Sequence, residues 1–198
     1  MNLDKQLIIS IGREFGSGGR TIGREVARKL GIHCYDQELI VKMAEESGFT
    51  REYVEKESEN ATISSWAASA FTMDSTYTAP TNQDRLWQVQ SKIIREIAEK
   101  ESCVIVGRCA DVILEESADL LMVFIHADFE ARAKRIVEKY GETEVPTEKR
   151  LRDKDKRRAM YYQFYTDRKW GDIDNYHIIL DSSALGLEKC VDIIASLY

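Results

Sequence analysis

The residues best equipped for chemistry stand together near the start of the chain. In residues 7–30, LIISIGREFGSGGRTIGREVARKL, four glycines (Gly12, Gly16, Gly18, Gly19) fall within eight positions and lead into Arg20-Thr21. Glycine lets successive backbone N–H groups turn inward around an anion, and the positive end of a following helix adds to the pull. Gly16, Ser17, Gly18, Gly19, Arg20 and Thr21 are therefore a candidate phosphate cradle. The pattern departs twice from G-x-x-x-x-G-K-[ST]: Glu14 stands where the first glycine belongs, and Arg20 replaces the lysine. Its placement, after a strand-like apolar run and at the opening of a helix, supports the phosphate reading over a flexible turn. Arg20 offers a planar five-donor fork where lysine offers a compact charge. Glu14 brings negative charge beside a polyanion site, and either points away or pairs with Arg13 or Arg20. The Thr21 hydroxyl is suited to Mg²⁺, which bridges the outer phosphates.

Three further groups lie downstream. Tyr35-Asp36 closes a second strand-like piece, where Asp36 either hydrogen-bonds a substrate hydroxyl or base, or caps the helix DQELIVKMA. Val106-Gly107-Arg108-Cys109-Ala110-Asp111 closes a third. Arg108 there is suited to bidentate phosphate contact, and Asp111 reads a base or caps the next helix. After the fourth strand Asp128 reads as the cap of FEARAKRIVEKY. In the basic run 149–158, helical spacing lets Arg150, Lys154, Arg157 and Arg158 share a face. Three readings are open for it: a solvated helix, since Asp153 and Asp155 interleave; a nucleic-acid surface; or a lid whose arginines close over a transferring phosphoryl group. Beside a phosphate loop in so short a chain, the lid is the favoured one.

These groups need a scaffold. The apolar runs 7–11, 103–106, 120–125 and 177–180, with a shorter one at 32–35, read as strands buried on both faces. Helical patterns occupy 21–30, 86–100, 129–140 and 188–197. Strand alternating with helix predicts an α/β fold around a mainly parallel sheet, with ligands at the carboxyl ends of the strands. Two segments break the alternation. Residues 36–100 read as a helical excursion, within which 60–84 is rich in Ser, Thr and Ala and its tail STYTAPTNQD looks loop-like. Residues 147–170 form a highly charged helical pattern just after Pro146.

At 198 residues the chain reads as one domain. A net charge of −6 argues against nucleic acid as the main partner. No apolar run approaches a membrane span and the N-terminus lacks a signal peptide's pattern, so a cytoplasmic protein is expected, with no membrane partner. Cys34, Cys103, Cys109 and Cys190 are scattered without C-x-x-C, and read as reduced, partly buried thiols. Oligomeric state is not written here.

The order of phosphate loop, YD, GR and arginine-rich segment resembles nucleoside monophosphate kinases. Within them, REFGSGGRTIG, VIVGRCAD and RDKDKRR followed by YYQFYTDRKWGD are similar to the cytidylate-kinase-like family of bacterial proteins. The resemblance covers nearly the whole chain and is strongest at 8–39, 103–114 and 147–183. It implies a three-layer P-loop core with about five strands, a helical acceptor-binding insertion within 36–100 and a lid at 147–170. The implied activity is transfer of the γ-phosphoryl of ATP, with Mg²⁺, to CMP or dCMP, a small-molecule nucleotide acceptor. By position, residues 16–21 would cradle ATP, with Thr21 on Mg²⁺ and Arg20 beside the transferring group. Arg108 and Asp111 match the acceptor-contacting segment, although Cys109 and Ala110 stand between them. Arg152, Asp155, Arg157 and Arg158 match the lid pattern, the arginines as catalytic groups and Asp155 toward substrate. Ser182 and Ser183 fall where the donor's base is held.

The Arg20 substitution is similar to that family's own loop. Well-characterised cytidylate kinases carry lysine there, and their acceptor-recognition residues have no clear match in 60–84. The aromatic cluster Tyr161, Tyr162, Phe164, Tyr165 and Trp170 is a base-stacking platform or helix packing. Two alternatives stay open. Tyr35-Asp36 is similar to the acceptor-binding acid of shikimate-type kinases, which allows another small hydroxyl or phosphate acceptor. Glu14 and Arg20 together allow a nucleotide-sensing module with little catalysis.

Overall fold

Five short strands that are apolar on both faces line up as one all-parallel sheet in a computed structural model, which describes residues 6–57, 81–116 and 118–198. They are β1 (Leu7–Arg13), β2 (His33–Tyr35), β3 (Cys103–Val106), β4 (Asp119–His126) and β5 (Ile178–Asp181), in the order β2-β3-β1-β4-β5. Central β1 pairs Ile9 with Val104 on one side and with Leu121 on the other. Parallel neighbours need long crossovers. Helices supply them: α1 (Gly19–Leu30), α2 (Gln37–Ser47), α3 (Arg51–Glu57), α4 (Asn82–Lys100), α5 (Ala110–Leu114), α6 (Phe129–Tyr140), α7 (Thr147–Thr166), α8 (Ser182–Leu185) and α9 (Leu187–Ser196).

The two-residue period of a strand sorts the core into two layers. Ile8, Cys103 and Ile105 pack with Leu39, Met43, Ile94, Tyr161 and Tyr162 from α2, α4 and α7. On the other face Ile9, Ile11, Val104 and Val106 pack with Ile22, Val26, Val191 and Ile194 from α1 and α9. The chain leaves β1 toward the β2 edge and later returns to β4 on the opposite side. That reversal opens a crevice at the carboxyl ends of β1 and β3, where α/β sheets bind ligands.

The excursion at 36–100 carries α2, α3 and α4. Residues 81–84, expected as loop, instead start α4. Thr81 Oγ1 accepts from the Asp84 amide at 3.1 Å, and Asp84 Oδ2 accepts from the Thr81 amide at 2.9 Å. This reciprocal capping box satisfies two amides that a helix start leaves open. Most of the Ser/Thr/Ala-rich part of the expected insertion, residues 58–80, lies outside the described residues. Asp128 caps α6 as expected, accepting from Glu130 and Ala131 amides. The four cysteines are free thiols, and among the described residues no helix is long and apolar enough to cross a membrane.

Candidate active site

The loop between β1 and α1 turns on Gly16 and Gly18, with φ of 82° and 85°, a region that favours glycine. Gly18 caps α1 and has no side chain to offer its first-turn amides, which leaves the positive end of that helix facing a cleft of about 440 Å³. At Gly19 a Cβ would come within 2.5 Å of Arg13 Cβ, so the loop can close this tightly only with glycine there. Gly16, Gly18, Gly19, Arg20 and Thr21 line the cleft. Ser17 is fully buried, and its hydroxyl donates to the Glu14 carbonyl at 2.9 Å.

Arg20 reaches across the cleft mouth to Asp36. Its Nε and a terminal nitrogen each lie 2.7 Å from Asp36 Oδ2, and Arg24 adds a third contact at 3.1 Å. Asp36 does precede α2, but its side chain makes no cap hydrogen bond; the two guanidiniums hold it. Thr21 and Asp36 face the same cleft. A threonine hydroxyl and phosphate oxygens are the hard oxygen donors that Mg²⁺ takes, and among the described residues no group of three His, Cys, Asp or Glu offers a competing metal site.

Glu14 lines the cleft, with its carboxylate engaged by α6 and the segment before it. Its Oε2 accepts from the Ala127 amide at 3.1 Å and lies 3.4 Å from Arg132 Nε. Burial raises its pKa, against the opposing pull of that amide and guanidinium.

At the end of β3 three successive residues, Gly107, Arg108 and Cys109, take positive φ of 74°, 62° and 52°. Two of them are not glycine, a local strain of the kind held at functional sites. The turn is braced by Gln90, whose Nε2 donates to the Arg108 carbonyl at 2.9 Å. It opens a second, smaller cavity of about 40 Å³, bounded by Asp111, Tyr161, Tyr162, Trp170 and Tyr176. Arg13, Arg108 and Arg158 line both cavities. Arg158 Nη1 donates to the Arg13 carbonyl at 3.1 Å, tying α7 to the end of β1. Within the smaller cavity Asp111 accepts from Tyr162 Oη at 2.9 Å. Burial raises the Asp111 pKa although the tyrosine bond opposes it, and burial likewise raises the Tyr162 hydroxyl. The Tyr176 hydroxyl is buried at the same cavity. The aromatic cluster packs: Tyr165 stacks on Trp87 at 4.4 Å, and Trp170 meets Phe124 edge-on.

Of the residues expected in a lid, the helix brings some to the cleft and turns others out. Leu151, Asp155, Arg158 and Tyr162 form the inward stripe of α7, with Leu151 and Tyr162 buried. Lys154 and Arg158 line the cleft. Arg152 is exposed and sits over the Phe129 ring. Arg157 is exposed, with its Nε donating to the Asp153 carbonyl one turn back. The 3.6-residue period decides this: positions 152 and 157 lie off the stripe that Leu151 and Tyr162 fix. Asp155 faces the loop and accepts from the Phe15 amide at 2.7 Å. Ser182 is buried, with its hydroxyl donating to the Ser17 carbonyl at 2.5 Å, and Ser183 Oγ accepts from the Asp128 amide at 2.9 Å. Both serines thus brace the loop and α6. Sequence reasoning missed Arg13, Arg132 and Arg135 as site residues. Arg135 Nη1 donates to the Gly16 carbonyl at 2.7 Å, and the i, i+3 spacing of Arg132 and Arg135 on α6 was the available signal.

The sequence pattern of the cytidylate kinase-like family matches residues 8–184. A cytidylate kinase of Methanopyrus kandleri is 23% identical over 197 residues, which cover 95% of this chain and 91% of that protein. A crystal structure of an uncharacterized protein from Eubacterium ventriosum superposes with a TM-score of 0.72 at 29% identity, covering 97% of this chain and 98% of the other. Shikimate kinase from Acinetobacter baumannii, in complex with shikimate, superposes with a TM-score of 0.52 at 15% identity over 98% of this chain and 92% of its own, a likeness of fold that places the sheet among P-loop kinase folds.

Proposed function

The chain belongs to the cytidylate kinase-like family, and on that premise we propose that it transfers the γ-phosphoryl group of ATP to a nucleoside monophosphate, CMP or dCMP first, giving ADP and the diphosphate. The observation that carries this reading is the position of Arg13, Arg108 and Arg158, which line both the glycine-rich cleft and the smaller cavity. A phosphoryl group passing from donor to acceptor crosses such a junction. Its transition state asks for positioning and charge neutralisation rather than covalent help from the protein.

In this mechanism the loop amides of residues 16–21 and the positive end of α1 hold the donor's phosphates. Thr21 would hold Mg²⁺, which supplies charge neutralisation on those phosphates when bound. Arg20 contributes a guanidinium at the cleft wall, held in place by Asp36. Arg108 and Arg13 orient the acceptor's phosphate. Arg158, with Lys154 beside it, stabilises charge on the group in flight. Asp111 and Tyr176 give the acceptor's polar end an acceptor and a donor. Gln37 and Ile40 of α2 and Glu55 of α3 wall the larger cleft, and α7 is the lid that excludes water.

A second reading has one observation in its favour: the Asp111 carboxylate already carries the Tyr162 hydroxyl, which suits a small hydroxylic or phosphorylated acceptor better than a base. The nucleotide-sensing alternative loses part of its motive, because the Glu14 carboxylate is already engaged by the Ala127 amide and Arg132. The test is mass-spectrometric detection of products from ATP·Mg²⁺ with CMP, dCMP, UMP, AMP, GMP and shikimate. Phosphorylated CMP or dCMP supports the reading. Product from shikimate alone replaces it with the second.

A further inference from the structure

Glu14, the residue that most spoils the phosphate-loop pattern, is part of a bridge around the buried Arg132 that the mechanism above does not use. Three elements meet there. Glu14 comes from the loop, Arg132 from α6 and Asp155 from α7. Arg132 Nη1 lies 2.5 Å from Asp155 Oδ2 and 3.2 Å from the Phe15 carbonyl, while its Nε lies 3.4 Å from Glu14 Oε2. The other oxygen of Asp155 accepts from the Phe15 amide at 2.7 Å. One loop residue, Phe15, is thus gripped at both ends, its N–H by Asp155 and its C=O by Arg132.

Exposed ion pairs contribute little, but this one is not exposed. The Arg132 side chain is 8% accessible and that of Asp155 19%. Removing one partner leaves a charge buried without compensation, the costly way to break such a bridge. The consequence is geometric. Asp155 lies between Lys154 and Arg158 on α7, and both cations sit over the Phe15 ring, at 5.7 and 5.8 Å from its centroid. Anchoring Asp155 on Phe15 therefore fixes where both cations enter the cleft.

We propose that Arg132 is a positioning residue: by bridging Glu14 and Asp155 it couples the glycine-rich loop to α7, and so sets Lys154 and Arg158 over the cleft. Glu14 occupies the place of the first loop glycine because this bridge needs its carboxylate. The coupling is a property of the ligand-free fold, whereas its catalytic consequence rests on the phosphoryl-transfer reading.

Two readouts separate those layers. Hydrogen exchange of the ligand-free protein is followed in the peptides covering Phe15 and 147–166, for wild type, Glu14→Gln, Asp155→Asn and the double variant. Arg132→Lys, which keeps the charge and loses the fork, serves as a gentler probe of the buried position. The bridge predicts about tenfold faster exchange of 147–166 in Asp155→Asn and in Arg132→Lys, and about threefold in Glu14→Gln. The double variant should exchange no faster than Asp155→Asn alone, because both act through Arg132. Additive effects, or wild-type exchange in Glu14→Gln, overturn the coupling. In the second readout, binding of a fluorescent N-methylanthraniloyl-ATP should change less than about threefold in Arg132→Lys while kcat with CMP falls at least about tenfold. Equal losses in binding and turnover overturn the positioning role, leaving Arg132 as a prop of the loop alone. If wild type turns over no acceptor, the phosphoryl-transfer reading fails while the exchange result still decides the coupling.

Discussion

Arg20 and Asp36 meet at 2.7 Å through two nitrogens of one guanidinium, joining the first turn of α1 to the tip of β2 across the cleft mouth. The fork explains why arginine stands in a place where a lysine would hold phosphate equally well as a point charge. Lysine cannot make both contacts to Asp36 and keep the same reach. Arg20→Lys is expected to lower kcat/KM for ATP by about ten- to a hundredfold, or about 1.4–2.7 kcal/mol. Steady-state kinetics at saturating acceptor checks it. A faster variant would mean a loop detuned for transfer, and would return weight to nucleotide sensing.

The two neighbouring arginines Arg157 and Arg158 are predicted to differ sharply. Arg158 lines both cavities and bonds the Arg13 carbonyl, whereas Arg157 is exposed and bonds its own helix. Arg158→Ala should lower kcat by about a hundredfold or more, and Arg157→Ala by less than about threefold. Similar losses from both would contradict the orientation of α7.

Gly107 makes room for Arg13. A Cβ there would lie 1.6 Å from Arg13 Nη1, and the backbone φ is +74°. Gly107→Ala is expected to cost about 1–2 kcal/mol in denaturant unfolding, mostly from the left-handed backbone. The displaced guanidinium adds a loss of turnover that the small destabilisation does not account for. Unchanged kinetics in a folded variant would remove Arg13 from the site.

Asp111 predicts a pH signature. Its pKa is raised by burial above the ordinary 3.8, so the folded state binds its proton more tightly than the unfolded chain does. The stability this contributes is complete below 3.8 and is lost as pH rises through the raised value. Asp111→Asn is neutral throughout. The Tm of the variant minus that of wild type should therefore grow from pH 4 to pH 7, with Glu14 keeping part of the slope in both proteins. A difference that stays constant across that range would show that Asp111 titrates at its ordinary value.

Much of the scaffold was legible because parallel strands buried on both faces leave unbroken apolar runs such as Cys103–Val106, and because α6 and α9 keep their helical period. The missed start of α4 was a capping box, Thr81 with Asp84, hidden inside a polar stretch that reads as loop. The site was harder. The loop glycines announce themselves by density, but Arg132 reads as one more charge on a helix surface, and only the packing of α6 against the loop and α7 buries it. Arg13 reads as the polite end of a strand, and its role depends on Gly107, some ninety residues away. On α7, charges mask the inward stripe; placing Leu151 and Tyr162 on a helical wheel would have selected Arg158 over Arg152 and Arg157.

In the proposed phosphoryl transfer, Arg13, Arg108 and Arg158 join the donor cleft to the smaller cavity, both of which they line. The direct measurement follows the label from [γ-³²P]ATP·Mg²⁺ into the acceptor, for wild type and Arg158→Ala, with CMP and dCMP in parallel. Phosphoryl transfer at this junction predicts labelled diphosphate from wild type, formed only when the acceptor is present, and a loss of about a hundredfold in Arg158→Ala. Label released only as inorganic phosphate, or transferred equally well by both proteins, would contradict it.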